Sequence, residues 1–203
     1  MKIISTLKCT ATPLTLILLA LTLSACGMRS IPTANNAVEA SWAEVVNQYK
    51  RRADLIPNLV EVVKGYAKHE QETLTAVMEA RSKATAVNVN ANQLNEANMK
   101  AFTGAQQGLS SALSRLMVVV ERYPDLKANE NFRDLQVQLE GTENRVTVAR
   151  QRYIESVNQF NNLVTVPPES WYNSIFLKLE KKPQFTVENE KQIQEPPKVN
   201  FGK

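Results

Sequence analysis

The stretch from Asn131 to Val164, NFRDLQVQLEGTENRVTVARQRYIESVNQFNNLV, decides the fold. Apolar or small residues recur in it at alternating steps of three and four: Phe132, Leu135, Leu139, Thr142, Val146, Ala149, Tyr153, Ser156, Phe160 and Leu163. That spacing keeps them on one side of an α-helix, while charged and amide residues fill the other side. A helix of this length runs roughly 50 Å at about 1.5 Å per residue. A mean step of about 3.5 predicts coiled-coil-like antiparallel packing rather than a globular pile of short helices.

Upstream, Pro124 to Asn129 reads as a turn, with Asn131 as a helix cap and Asp134 three residues on. Before it lies a third segment with Phe102, Ala105, Leu109, Ala112, Leu116, Val119 and Tyr123 in phase, ended by Pro124. Residues 85–95, TAVNVNANQLN, lose the period and collect asparagines, which predicts a loop over one end. The first long segment carries Val38, Trp42, Val45, Tyr49, Ala53, Ile56, Leu59, Val63 and Tyr66, and its pattern continues through Leu74 and Val77 to about Ala84. The phase holds across Pro57, which breaks a helical hydrogen bond. Either Asp54 caps a fresh helix there, or one long helix passes through. No stretch alternates with period two. The predicted class is all-α, an elongated antiparallel helical bundle of three to four long helices.

The composition agrees with one such domain. Of 203 residues 43% are apolar, and glycine and proline are sparse, which excludes collagen, most disordered chains and polytopic membrane proteins. A single histidine, His69, and two cysteines far apart exclude a zinc cluster and a Ser/His/Asp relay, so no cofactor, metal ligand or catalytic residue is assigned. His69-Glu70 is not an H-E-x-x-H motif, since Thr73 stands where the second histidine belongs.

The N-terminus reads as an address. Lys2 and Lys8 precede an apolar run, Pro13 to Leu23, and Leu23-Ser24-Ala25-Cys26 places small residues before a cysteine. This resembles a bacterial lipoprotein signal over residues 1–25, with Cys26 as the lipidated residue. The alternative is an uncleaved anchor, because residues 9–28 are uncharged and about 20 apolar residues span a bilayer. Four threonines (Thr10, Thr12, Thr15 and Thr22), Pro13, Ser24 and Gly27 weaken that alternative. Cleavage removes two lysines and no acid, so the formal charge falls from +4 to +2, too little for a nucleic-acid surface. Residues 26–36 read as a tether, 37–165 as the helical domain, and 166–203 as a short amphipathic segment (Trp171 to Leu179) with a poorly ordered tail. The tail is ordered only if Phe185 or Phe201 docks.

Three stretches carry a family resemblance: Val38 to Lys50 (VEASWAEVVNQYK), Arg51 to Glu70 (RRADLIPNLVEVVKGYAKHE), and Leu113 to Tyr153 (LSRLMVVVERYPDLKANENFRDLQVQLEGTENRVTVARQRY). They resemble the signature stretches of the LemA family. The resemblance implies an elongated antiparallel helical bundle beside a membrane, with an N-terminal segment that is an anchor in some members and a lipoprotein signal in others. It implies no reaction. The C-terminus departs from the family, with Val166-Pro167-Pro168 and a longer tail.

The cluster Arg51, Arg52, Asp54, Pro57 and Asn58 is the candidate interaction patch, charged residues beside a proline in the signature stretch. Helix capping and weak surface ion pairs are its structural reading. The functional expectation is a non-catalytic binding or scaffold protein, held to a cell membrane by its N-terminal lipid, with an envelope protein partner and no small-molecule substrate. The alternatives are an envelope hydrolase or transferase, and a membrane-remodelling or self-assembling coat.

Overall fold

The computed structural model describes residues 3–185, with side chains from Arg29 onward. The signal segment and Cys26 therefore precede the described side chains, and the tail beyond Phe185 lies outside the described residues. The elements are α1 (Ile3–Tyr66), α2 (Gln71–Ala86), a 3₁₀ turn (Ala91–Gln93), α3 (Glu96–Val120), α4 (Pro124–Ala128), α5 (Glu130–Thr165) and α6 (Glu169–Tyr172). A π-turn, Asn173–Leu177, continues α6. The class is all-α, and no strand occurs among the described residues.

Contacts fix the chain's course. Trp42, Arg52 and Tyr66 on α1 meet Tyr153, Glu143 and, at the start of α5, Asn129, so α1 and α5 run in opposite directions. Arg52 also meets Gln106, and Glu70 after α1 meets Tyr123 after α3, so α3 runs with α1. Ala53 meets Arg81, and Trp42 meets Val89 beyond the end of α2, so α2 runs against α1.

Local chemistry sets the ends. The Asn98 amide donates to the Asn95 side chain at 2.8 Å, and the Phe132 amide to Asn129 at 3.0 Å. The cap of α5 is thus Asn129 and not Asn131, because Glu130 and Asn131 already lie in the helix. Pro57 neither breaks α1 nor starts a new helix. It has no N–H to give the Ala53 carbonyl one turn back. Arg81 of α2 replaces it, donating from Nε to that oxygen at 2.7 Å.

Two hydrophobic clusters form along the helices. One gathers Ile31, Val38, Trp42, Tyr49, Phe102, Tyr153, Val157, Phe160 and Val164. The other gathers Ile56, Leu59, Val63, Leu74, Leu109, Leu116, Leu126, Phe132 and Leu139. Val157 and Val164 are buried where the 3.5-residue pattern chose Ser156 and Leu163. Two successive four-residue steps, Ala149 to Tyr153 to Val157, shift the stripe by one position, a stutter in the repeat. Leu139→Ala is expected to cost about 2–5 kcal/mol in a urea unfolding midpoint, since the side chain is buried.

Both ends of the packed region extend beyond their sequence-based limits. Residues 29–36, expected as tether, are helical, and Ile31 is fully buried in the first cluster. At the other end the chain folds back along α5. Asn161 pairs with both backbone groups of Lys182 (3.0 and 2.9 Å), and the Tyr153 hydroxyl donates to the Pro183 carbonyl at 2.9 Å. Gln184 donates to Asn158. Phe185 then seats against Trp42 and Tyr153, with the Arg150 guanidinium 4.5 Å from its ring centre. Up to Phe185, then, the expected loose tail is a packed strap.

Candidate functional site

Among the buried positions of α1, Trp42, Val45, Tyr49, Arg52, Ile56, Leu59 and Val63 form a continuous alternation of three and four with a guanidinium in its middle, and Ala53 and Val60 are buried beside it. Arg52 is 2% exposed. Four acceptors surround it. Nη1 donates to Glu143 Oε1 on α5 at 2.8 Å and to Ser110 Oγ on α3 at 3.0 Å. Nη2 donates to the Gln106 side-chain and backbone oxygens on α3 at 2.6 and 3.3 Å. The guanidinium carbon lies 5.1 Å from the Tyr49 ring centre, within cation–π range.

Gln106 carries the network to the remaining long helix. Its Nε2 donates to the Ala84 carbonyl at 3.2 Å, near the α2 C-terminus, where carbonyls lose their intrahelical partners. One arginine thus ties α1 to α3 and α5 directly and to α2 through a single amide. Thr142 of α5, also buried, donates to the Gln138 carbonyl of its own helix. The layer separates the two hydrophobic clusters. Beside it, burial pushes the Tyr49 hydroxyl above its ordinary pKa, opposed by the cationic Arg150 and Arg52. Burial raises Tyr153 much further, and its neutral hydroxyl donates to the Pro183 carbonyl.

Arg52 therefore does not belong to a surface patch. At 100° per residue, Arg51, Asp54 and Asn58 share one exposed side of α1, and Arg52 points away from them into the core. Pro57 is half-buried and matters through the carbonyl it leaves free. Asp54 sits 4.0 Å from Arg81. Sequence spacing alone held the clue: Arg52 falls on the seam in strict phase from Trp42 to Val63, but its charge sends a reader to the surface. Gln106 was missed in the same way, with Ala105 preferred because it is apolar.

Two concavities flank the layer. A cleft of about 550 Å³ between α1 and α2 is lined by Tyr49, Lys50, Asp54, Arg81 and Gln106 among others. A groove of about 370 Å³ between α3 and α5 is lined by Leu113, Met117, Leu139 and Glu143 with neighbouring serines and amides. His69 stands apart from both, exposed in the turn after α1. Next to it Glu70 accepts from Arg122 at 2.9 Å and from the Tyr123 hydroxyl at 3.1 Å, joining two turns at one end of the molecule.

These features define an all-helical protein whose long helices are cross-linked by one buried arginine. The LemA family model matches residues 41–201, and the chain belongs to the LemA family. Among curated proteins it is similar to magnetosome proteins MamQ 1 and MamQ 2 of Paramagnetospirillum magneticum, each 33% identical over 69 residues. It is also similar to magnetosome protein MamQ of Magnetospirillum gryphiswaldense, at 32%. Each match covers 34% of this chain and 25% of the relative, so the chain spans about a quarter of the length of the curated relatives it matches.

Proposed function

We propose that this LemA-family protein is a membrane-anchored lipoprotein, held through Cys26, that acts as a non-catalytic scaffold for a protein partner in a bacterial envelope. The observation that carries the reading is the Arg52 layer. The strongest convergence of polar groups in the described structure is turned inward, each acceptor aimed at one guanidinium that joins helices. Such a layer stiffens an elongated antiparallel bundle and leaves its outer faces free for contacts. The helix is already formed at Arg29, three residues after Cys26, so the domain stands close to its anchor with little slack. The exposed Arg51, Asp54 and Asn58 side is the proposed partner surface, a narrower patch than the five residues first grouped.

One experiment tests both halves. The protein is expressed with Cys26 intact, its mature N-terminus is read by mass spectrometry, and crosslinkable residues are placed at Arg51 and Asn58. An acylated Cys26 and a discrete crosslinked protein that disappears on Arg51→Glu are the expected results. An intact Met1 in the membrane fraction would replace the lipid by a spanning anchor. Full rescue of a deletion strain by Arg51→Glu, without any crosslinked species, would discard the scaffold surface.

A further inference from the structure

We infer that the segment Glu169–Leu177 is a second membrane contact, seating Trp171, Ile175 and Phe176 in the headgroup region beside the N-terminal anchor. Three observations converge on that surface. Trp171, Ile175 and Phe176 are 64, 67 and 68% exposed, although the neighbouring Tyr172 and Leu177 pack inward on the first cluster. In a π-turn, which closes i→i+5, spacings of four and five bring Ile175 and Phe176 to the side of the turn where Trp171 stands. Exposed large apolar residues so grouped mark an interaction surface, and tryptophan with flanking lysine is the composition favoured at a membrane interface.

The segment is also held rigidly. Asn173 is buried, donates to the Val164 and Leu179 carbonyls at 3.4 and 3.0 Å, and accepts from the Leu179 amide at 3.0 Å. Lys178 closes the turn in the left-handed conformation (φ 52°), its amide donating to the Asn173 carbonyl at 2.7 Å. The exposed apolar side chains are thus fixed outward by buried bonds.

Position decides the occupant. The segment packs on α1 and on the C-terminal end of α5, at the end where Ile31 and Val164 share a cluster. Arg29 stands at that end, three residues from Cys26. Lys178 and Lys181 lie exposed just past the turn and complement anionic headgroups. A second contact at the same end adds to the hold that the acyl chains on Cys26 supply. The inference rests on the membrane-anchored reading above.

The full-length chain is reconstituted into vesicles of phosphatidylethanolamine with a minority of phosphatidylglycerol, some carrying brominated acyl chains. The protein has two tryptophans, so a Trp171→Phe variant leaves only the buried Trp42 and isolates the signal of Trp171. Brominated lipid is expected to quench the Trp171 component by about twofold or more, with the loss of quenching by soluble acrylamide that interfacial tryptophans show. Paired Lys178→Glu and Lys181→Glu changes should weaken lipid quenching. If the chain floats with vesicles while Trp171 stays acrylamide-accessible and blind to brominated lipid, the second contact is overturned and the anchor stands. If Cys26 proves unmodified and flotation is lost on Ile175→Asp with Phe176→Asp, the segment is the contact and the lipid anchor is overturned. A chain that does not float at all overturns both. A photo-crosslink from position 171 that captures protein rather than lipid in native membranes also overturns the inference.

Discussion

Arg52→Glu is expected to leave the protein unfolded at room temperature, whereas Arg51→Glu, one residue away, should change its unfolding free energy by no more than about 0.5 kcal/mol. The reason is position and not charge. Arg51 is solvated, so its reversal meets water. Arg52 is buried, and a carboxylate there would face Glu143 Oε1 and Gln106 Oε1 with no cation to receive them. Even the milder Arg52→Ala takes a buried side chain away from its acceptors, of which Glu143 is half-exposed, and leaves a large cavity, a loss on the order of 2–5 kcal/mol. Small domains hold only about 5–15 kcal/mol in total. Circular dichroism during urea titration distinguishes the two arginines. Equal tolerance at both positions would mean that the layer contributes nothing to the fold. A double change, Arg52→Met with Gln106→Leu, removes the donor and its main acceptor together. It is expected to regain much of the loss, because apolar residues of similar volume replace buried polar groups at little net cost.

Trp42→Ala is expected to cost about 3–5 kcal/mol and to loosen four distant parts of the chain at once. The indole ring lies 5.2 Å from Phe102, 5.3 Å from Tyr153 and 6.1 Å from Phe185, centre to centre. Its Nε1 donates to the Val89 carbonyl at 2.7 Å, pinning the loop after α2. Trp42→Phe keeps most of the apolar area but strands that buried carbonyl, a loss of about 1–3 kcal/mol. Hydrogen exchange should show the two changes apart. Alanine should release residues near 89, 102, 153 and 185 together, and phenylalanine chiefly the loop near 89. A Trp42→Ala protein with undiminished protection at residues 180–185 would show that the strap docks independently of the ring.

The parts of this fold that the sequence made legible are those in which chemistry and position agree. The apolar stripes of α3 and α5 announce themselves because a valine or phenylalanine on a seam has nowhere else to go. Arg52 and Gln106 have the same seam positions and were read outward, since a single charge or amide carries no sign that two other helices supply its partners. Pro57 posed an undecidable choice locally. It was settled by Arg81, 28 residues away, reaching the Ala53 carbonyl. Ser156 and Leu163 were selected by extending a strict 3.5 repeat through a stutter that only the packed partner α1 enforces. Phe185 sits among charged and proline residues that bury little, and its place depends on a gap between Trp42, Tyr153 and Arg150 that no local pattern encodes.

The strap also dictates an order of assembly. The cluster built from Ile56 to Leu139 uses residues close together along the chain, and it can close while the C-terminal part is still being delivered. The cluster around Trp42 cannot. It joins Ile31 and Val38 to residues 146–164 and finally to Phe185, the far end of the described chain. A chain made from its N-terminus onward therefore completes the half built around Ile56 to Leu139 early. The half around Trp42 stays open until Phe185 has been delivered, leaving its aromatic side chains exposed to chaperones and proteases for the whole of that interval.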